Sequence, residues 1–184
     1  MDETQKAVQR LKRGDIGGLE TLVARCQARA VRTAFLILQD EAAAQDVVQD
    51  VYLRIYQRIR HFDESQPFEP YLLKSVVHAA LNATRGRMKS VPLEGDLAEI
   101  ESLLSDGETP EAQAESNQRS QQILAALNKL SPRQRAVIVQ RYYLEMSEKE
   151  MSESLNAAPG TVKWLLNAAR ARLREILNPE RSSQ

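Results

Sequence analysis

Leu130 to Leu177 reads LSPRQRAVIVQRYYLEMSEKEMSESLNAAPGTVKWLLNAARARLREIL, and the architecture of the chain turns on it. The pattern predicts three short helices, the last two forming a helix-turn-helix. Ser131-Pro132 opens the first, with Gln134 placed for a capping box. Ser147 opens the second, Glu150 completes its capping box, and the helix runs to about Leu155. Asn156-Ala157-Ala158 forms the turn. Pro159 starts the third helix, where its missing N–H costs nothing, and Gly160-Thr161 keep that end slim enough to approach another backbone. Two short helices joined by a tight turn present the second helix to a DNA major groove.

Periodicity sorts the faces of that third helix. Val162, Leu165, Leu166, Ala169, Leu173, Ile176 and Leu177 share one side at 3.6 residues per turn and are expected to pack inward. Lys163, Trp164, Asn167, Ala168, Ala171 and Arg174 occupy the opposite side. Arg170 and Arg172 lie on the flanks, within reach of phosphates. Pattern alone fits a solvated helix of a small three-helix bundle as well as a DNA-reading one.

The 184 residues can hold one medium domain or two small ones. No apolar run approaches the roughly 20 residues that span a bilayer, so membrane insertion is not expected. The charged N-terminus, MDETQKAVQRLKRGD, lacks the apolar stretch of a signal peptide, which predicts a cytoplasmic location. A single cysteine, Cys26, excludes an internal disulfide framework, and with only His61 and His78 beside it no metal site is expected. Cys26 itself reads as a packed or half-exposed helix residue, with a redox role left open. Formal net charge is zero, yet residues 90–118 carry eight acidic residues and neither lysine nor arginine. The remainder therefore has 25 basic against 25 minus 8 acidic residues, a net charge of +8. A basic protein is interrupted by an acidic connector.

Taken in order, Thr4 to Arg13 is an expected first helix, with Thr4 as cap and Gly14 as stop. A second, capped by Asp15, covers Leu19 to Leu38. Ala42 to Arg60 is the most regular helix of the first half. Val47, Val48, Val51, Tyr52, Ile55 and Ile59 form its inward stripe, and Asp46, Gln49, Asp50, Leu53, Arg54 and Gln57 lie off it. HFDESQPFEP, His61 to Pro70, turns the chain. A helix then runs from about Tyr71 to Lys89, and Lys74, His78, Asn82, Arg85 and Lys89 line one polar stripe along it. Beside a loop bearing Phe68 and Tyr71, such a stripe suits single-stranded nucleic acid: cations follow the backbone, aromatics stack and amides bond base edges. The wet face of an amphipathic helix has the same pattern. Residues 90–118 read as a flexible acidic linker, with a short helix at Leu97 to Leu104 and helix resuming at about Glu111. Ile123, Leu124, Leu127 and Leu130 mark the inward face where the second domain begins, and Arg133, Arg135 and Arg141 add positive charge around the next helix.

Two blocks carry a resemblance to a known family. DVVQDVYLRIYQRI (Asp46 to Ile59) followed by FDESQPFEPYLLKSVVHAALNATRGR (Phe62 to Arg87) is similar to region 2 of the bacterial RNA polymerase sigma factors of the extracytoplasmic-function group, within the sigma-70 family. The stretch Leu130 to Leu177 is similar to their region 4. The resemblance implies an all-α protein of two small helical domains joined by the acidic linker: a region 2-like domain at 1–89, the linker at 90–118, a region 4-like helix-turn-helix domain at 119–178 and a polar tail at 179–184.

It also implies roles. Asp46, Gln49, Asp50, Leu53, Arg54 and Gln57 would dock on the clamp helices of the polymerase β′ subunit. Phe68, Tyr71, Lys74, His78, Asn82, Arg85 and Lys89 would melt and read the −10 promoter element as a single strand, with one base flipped into a pocket. Ser147, Gly160, Thr161, Lys163, Trp164, Asn167, Arg170 and Arg174 would face the duplex −35 element, while other surfaces of that domain meet the β flap. The linker would thread toward the RNA exit channel. Implied partners are core RNA polymerase, promoter DNA and an anti-sigma factor. The resemblance implies no catalytic residue, cofactor or metal, and a cytoplasmic, nucleoid-associated protein.

Several positions depart from the family pattern. Tyr71 stands where Trp is common and His78 where Asn is common. Leu165 and Ala168 replace arginines, and Trp164 replaces a small polar residue on the reading face, where it could meet a thymine methyl or pack on a partner. These departures leave open a sigma-like interaction adaptor. A stand-alone helix-turn-helix regulator fits less well, because it needs no docking helix at Asp46 to Ile59. An enzyme fits least, since no constellation of histidine, cysteine or carboxylate has catalytic or metal spacing.

Overall fold

A computed structural model describes residues 2–87 and 120–177, with eight α-helices among them. The expectations for Lys89, the linker at 90–118 with its short helix, and the tail at 179–184 fall outside the described residues. The chain divides into two compact units, Met1–Lys89 and Ser90–Gln184.

The first unit is built around α2 (Gly17–Leu38), which packs against α1 (Glu3–Lys12), α3 (Glu41–Arg58) and α4 (Phe68–Arg87). Leu22, Cys26, Ala30, Ala34 and Ile37 form the buried seam of α2 at helical spacing. Val48, Val51, Tyr52 and Ile55 of α3 and Leu72, Val76, Val77 and Ala80 of α4 are buried with them. Small residues set how closely the helices approach. A Cβ on Gly18 would lie 2.7 Å from the backbone nitrogen of Leu11, so α1 rests directly on the first turn of α2.

Local chemistry sets the ends of these helices. The first begins at Glu3, so Asp2 and not Thr4 stands at its cap position. It stops where Gly14 takes φ +91°, a conformation that costs glycine little. The second helix begins at Gly17, not Leu19, with Ile16 and not Asp15 at its cap position. The Asp15 carboxylate instead accepts from the Gly17 N–H at 2.9 Å and from Arg10 Nε at 2.8 Å, pinning the turn between α1 and α2. Asp40 caps α3 by accepting from the Ala43 N–H at 2.9 Å. The expected helix to Arg60 instead ends at Arg58 and tightens into a 3-10 turn, Ile59–His61. Lys12 Nζ then donates to the Phe62 carbonyl at 2.9 Å and to Glu64 at 2.8 Å, tying the loop before α4 to α1.

In the second unit, residues 120–128 form α5. α6 (Pro132–Ile138) follows and continues as one π turn, Val139–Tyr143. α7 (Glu148–Leu155) and α8 (Pro159–Leu177) complete the helix-turn-helix, with Asn156 in the left-handed conformation at the turn. Both expected capping boxes, Ser131 with Gln134 and Ser147 with Glu150, are formed. α6 packs against α8, and Ala136, Val137, Val139, Met146, Met151, Val162, Leu166 and Ala169 are buried in the core of this unit.

Three expectations fail here. Leu177, placed inward by its period, is 47% exposed at the last residue of α8. Ile123 is 53% exposed, not inward, because the inward side of α5 is carried by Ala126 and Leu127. Arg135 adds no surface charge: it is buried, and burial lowers the pKa of its guanidinium. The π turn was unforeseen. It carries Gln140 into the core, where Nε2 donates to Ser154 Oγ at 2.8 Å and the Gln140 carbonyl accepts from the Met146 N–H at 2.9 Å.

Candidate nucleic-acid and polymerase interfaces

The outward face of α3 is a mixed polar and apolar surface. Asp46, Gln49, Asp50, Leu53, Arg54 and Gln57 are all exposed, since the buried stripe of Val48, Val51, Tyr52 and Ile55 occupies the opposite side. Arg54 lies 3.9 Å from Asp50 one turn away, a distance that leaves both charges available to a partner. Leu53 is 55% exposed and Tyr56 beside it 45%. Tyr56 was missed by sequence reasoning, although an aromatic outside the apolar stripe was its signal. Together they form an apolar centre ringed by charge, the arrangement of an interface core.

α4 presents a second face. His78, Asn82 and Arg85 are exposed and Lys74 is half-buried, so the polar stripe exists as expected. The aromatics at its head divide. Tyr71 is half-buried with its ring 4.9 Å from that of Phe62 and tilted against it. Phe68 is only 4% exposed and packs edge-on against Phe62 at 5.9 Å. The first turn of α4 directs it inward, so its ring has no face to offer a base in this structure. Phe62 stands between the two and was missed because it reads as a loop aromatic. A cleft of about 350 Å³ opens beside this cluster, lined by Gln5, Phe62, Ser65, Gln66 and Pro67 among others. Glu64 in its lining is held by Lys12 and Gln9, and the neighbouring Asp63 fixes the loop by accepting from the Ser65 N–H at 2.9 Å. The Glu64 carboxyl is kept below its ordinary pKa, first by the Lys12 hydrogen bond and then by that from Gln9.

Beneath these surfaces Cys26 is buried, and burial followed by the nearby Glu69 charge pushes its pKa up to about 11. The thiol stays protonated at neutral pH and is a packing group, not a reactive one. The Tyr52 hydroxyl is also buried, with no hydrogen-bond partner among the described residues, and burial raises its pKa.

In the second unit, Gly160, Thr161, Lys163, Trp164, Asn167 and Arg174 of α8 are exposed, while Val162, Leu166 and Ala169 are buried behind them. Trp164 is 68% exposed, and it is the only tryptophan in the chain. A Cβ on Gly160 would meet nothing within 4 Å, so no packing within the protein calls for glycine there. Two expectations change. The Ser147 hydroxyl is occupied by its capping box, accepting from the Glu150 N–H at 3.3 Å and lying 2.7 Å from the Glu150 carboxylate. Arg170 is not a loose flank residue: its Nε donates to the Tyr142 hydroxyl at 2.8 Å.

Among the described residues no group of histidine, cysteine, aspartate or glutamate could hold a metal ion. No helix there is long and apolar enough to cross a membrane.

Comparisons with known proteins identify the family of both units. Residues 22–90 match the sequence profile of sigma-70 region 2, and residues 120–173 that of sigma-70 region 4. The ECF RNA polymerase sigma factor SigW of Bacillus subtilis is 27% identical over 179 residues, covering 94% of this chain and 96% of that one. The RNA polymerase sigma-E factor of Streptomyces coelicolor is 29% identical over 165 residues, covering 89% and 88%. Among solved structures, CnrH in complex with the cytosolic domain of CnrY superimposes with a TM-score of 0.63 at 21% identity, covering 97% of this chain and 99% of that one. The sigma factor RpoE of Bartonella quintana, in complex with the anti-sigma factor NepR, gives 0.62 at 19% identity over 88% and 97%.

Proposed function

Because the chain belongs to the extracytoplasmic-function group of the sigma-70 family and is an RNA polymerase sigma factor for transcription initiation, we propose that three of its surfaces divide that work. The outward face of α3 docks on the β′ clamp helices of core polymerase. Leu53 and Tyr56 supply the apolar centre, and Asp46, Gln49, Asp50, Arg54 and Gln57 the polar rim. The stripe on α4 takes the −10 element as a single strand. Tyr71 stacks a base, His78 and Asn82 bond base edges, and Lys74 and Arg85, joined by Lys89, follow the phosphates. The cleft beside Phe62 receives the flipped base; its volume of about 350 Å³ and the polar Gln5, Ser65 and Gln66 in its lining support that reading. α8 lies in the major groove of the −35 element, with Lys163, Trp164, Asn167 and Arg174 toward the DNA, and the second unit also meets the β flap.

Sigma factors are not enzymes, and strand opening needs no bond chemistry. The α4 surface gains contacts with an unstacked strand that a duplex cannot supply, and that difference in binding free energy moves the equilibrium toward the open state. Trp164 carries the reading of α8. A tryptophan 68% exposed next to Lys163 and Asn167, on the side opposite the buried Val162, Leu166 and Ala169, supports reading that surface as one kept for a partner. In this reading Tyr71 still stacks where the family more often has Trp, and the thinned arginines at Leu165 and Ala168 move discrimination onto Trp164 and Asn167.

Both solved relatives are complexes with a protein partner, one of them an anti-sigma factor. By likeness, an anti-sigma factor holds this chain inactive in the cytoplasm by covering the α3 face, and the free protein works at the nucleoid. Core polymerase stripped of sigma tests the arrangement. With it, the chain should transcribe a supercoiled promoter library from starts that share one bipartite motif. Leu53→Arg should abolish association with core while leaving the fold intact. Unimpaired association of that variant would remove α3 from the polymerase interface.

A further inference from the structure

We propose that Tyr142 and Arg170 form a phosphate clamp at the edge of α8, in which Tyr142 holds the arginine and adds its own hydroxyl as a second donor. The inference rests on the reading of α8 as the −35 helix and adds a residue and a ligand chemistry to it. Tyr142 lies in the π turn Val139–Tyr143, 28 residues before its partner. The extra residue of a π turn shifts the register of a helix, and such turns often place side chains at functional sites. Here the Leu144 N–H bonds back to the Val139 carbonyl at 3.0 Å, and Tyr142 is left 58% exposed. Its hydroxyl oxygen accepts from Arg170 Nε at 2.8 Å, and the guanidinium carbon sits 5.6 Å from the ring centroid. The cation is thus held both by a hydrogen bond and by the ring.

What remains unused defines the ligand. A guanidinium has five N–H donors in a rigid fork, and only that on Nε is engaged. Among the described residues Arg170 makes no ion pair, whereas Arg172, two positions on, is tied to Glu175 at 2.9 Å. Arg141, the neighbour of Tyr142, donates to the Met146 carbonyl at 3.0 Å. Among the described residues no acceptor stands at the terminal nitrogens of Arg170, and of these arginines it alone lies on α8 without an ion pair. Because the tyrosine oxygen accepts from Nε, its own proton is left to donate outward. A fixed cation with an adjacent O–H donor matches two oxygens of one phosphate better than a base edge. The position fits as well. Arg170 lies seven residues beyond Lys163, two helical turns or about 10 Å along the same flank, so the pair of cations can follow one strand of the backbone.

The test uses the full chain bound to core polymerase and a promoter fragment carrying its −35 duplex, with neutral methylphosphonates placed one phosphate at a time. Wild-type protein should lose about tenfold in affinity at one position on the strand flanking α8. Arg170→Ala and Tyr142→Phe should each bind the unmodified promoter about three- to tenfold more weakly; Arg170→Ala should be indifferent to neutralisation of that same phosphate, and Tyr142→Phe should keep only part of the sensitivity. Arg170→Ala should also lower the slope of log affinity against log salt by about 0.9. Arg170→Lys, which keeps the charge without the fork, should preserve the slope but not the affinity. Melting temperatures of all variants should match wild type, so that loss of the contact is read and not loss of the fold. If Tyr142→Phe keeps full sensitivity at the phosphate where Arg170→Ala loses it, Tyr142 has no part and the clamp is refuted. If both variants bind as wild type while Trp164→Ala weakens −35-dependent binding, the clamp is refuted and α8 remains the reading helix. If Trp164→Ala, Asn167→Ala and both clamp variants are all silent, the −35 reading itself fails and the clamp with it.

Discussion

Replacing Gly18 by alanine puts a methyl group into the contact between α1 and α2. Its carbon would lie 2.7 Å from the Leu11 backbone nitrogen and 3.0 Å from Leu11 Cβ, as well as against the Ala7 carbonyl oxygen. These neighbours are backbone or its first side-chain atom and cannot rotate away, so α1 has to retreat by more than half an ångström to reach ordinary contact. Overpacking of this kind costs about 1–3 kcal/mol. Three fixed atoms are pressed at once, so the cost lies in the upper part of that range, about 2–3 kcal/mol; the better helix propensity of alanine returns about 1 kcal/mol, leaving a net loss of about 1–2 kcal/mol. For a domain of this size that is a fall in melting temperature of about 5–15 °C. Far-UV circular dichroism of the full chain measures it. The fluorescence of Trp164, the sole tryptophan, reports the second unit and should melt as in wild type. The consequence for function runs through Lys12, which anchors the Phe62 carbonyl and Glu64 from the end of α1. A displaced α1 loosens the loop beside Tyr71, so open-complex formation should slow in parallel. An unchanged melting curve for Gly18→Ala would refute the close approach on which the reasoning depends.

Three further outcomes follow from single groups. Tyr52→Phe removes a buried hydroxyl with no partner among the described residues, and should leave the first unit as stable as wild type or more stable by up to about 1 kcal/mol in denaturant titration. Ser147→Ala removes the cap of α7 and should cost about 1 kcal/mol, read as an earlier Trp164 fluorescence transition. Glu64 has a depressed pKa in the folded chain, caused chiefly by Lys12. Its contribution is therefore complete above the ordinary glutamate pKa of about 4.3 and is lost as pH falls through the lower folded value. Lys12→Met should erase that part of the acid-side loss, measured by thermal melts across the acid range.

The two helical units were legible because their signals are local. The two capping boxes of the second unit and the turn at Asn156 follow from residue types at fixed offsets. The stripe of α3 follows from its period, which separates Val48, Val51 and Ile55 from Asp46, Asp50 and Leu53. What escaped depends on contacts distant in sequence. Phe68 resembles a stacking aromatic until the first turn of α4 directs it against Phe62. Arg135 sits one residue before an apolar run, and helix packing buries it. Ile123 lies on a plausible apolar face, yet α5 is oriented by Ala126 and Leu127. The π turn shifts the register that periodicity assumes constant, which is why Tyr142 escaped notice and Arg170 was read as unattached. Gln140 inside the apolar run AVIVQ was its one visible sign.

The division of labour between α4 and α8 is tested most directly by the promoter motif that the reconstituted polymerase selects from a randomised library, compared among wild type, Trp164→Ala and His78→Ala. Trp164→Ala should alter the preferred bases in the −35 block and leave the −10 block as it was, and His78→Ala should do the reverse. A shift of the −10 block by Trp164→Ala, or an unchanged motif in both variants, would contradict the assignment of duplex reading to α8 and strand reading to α4.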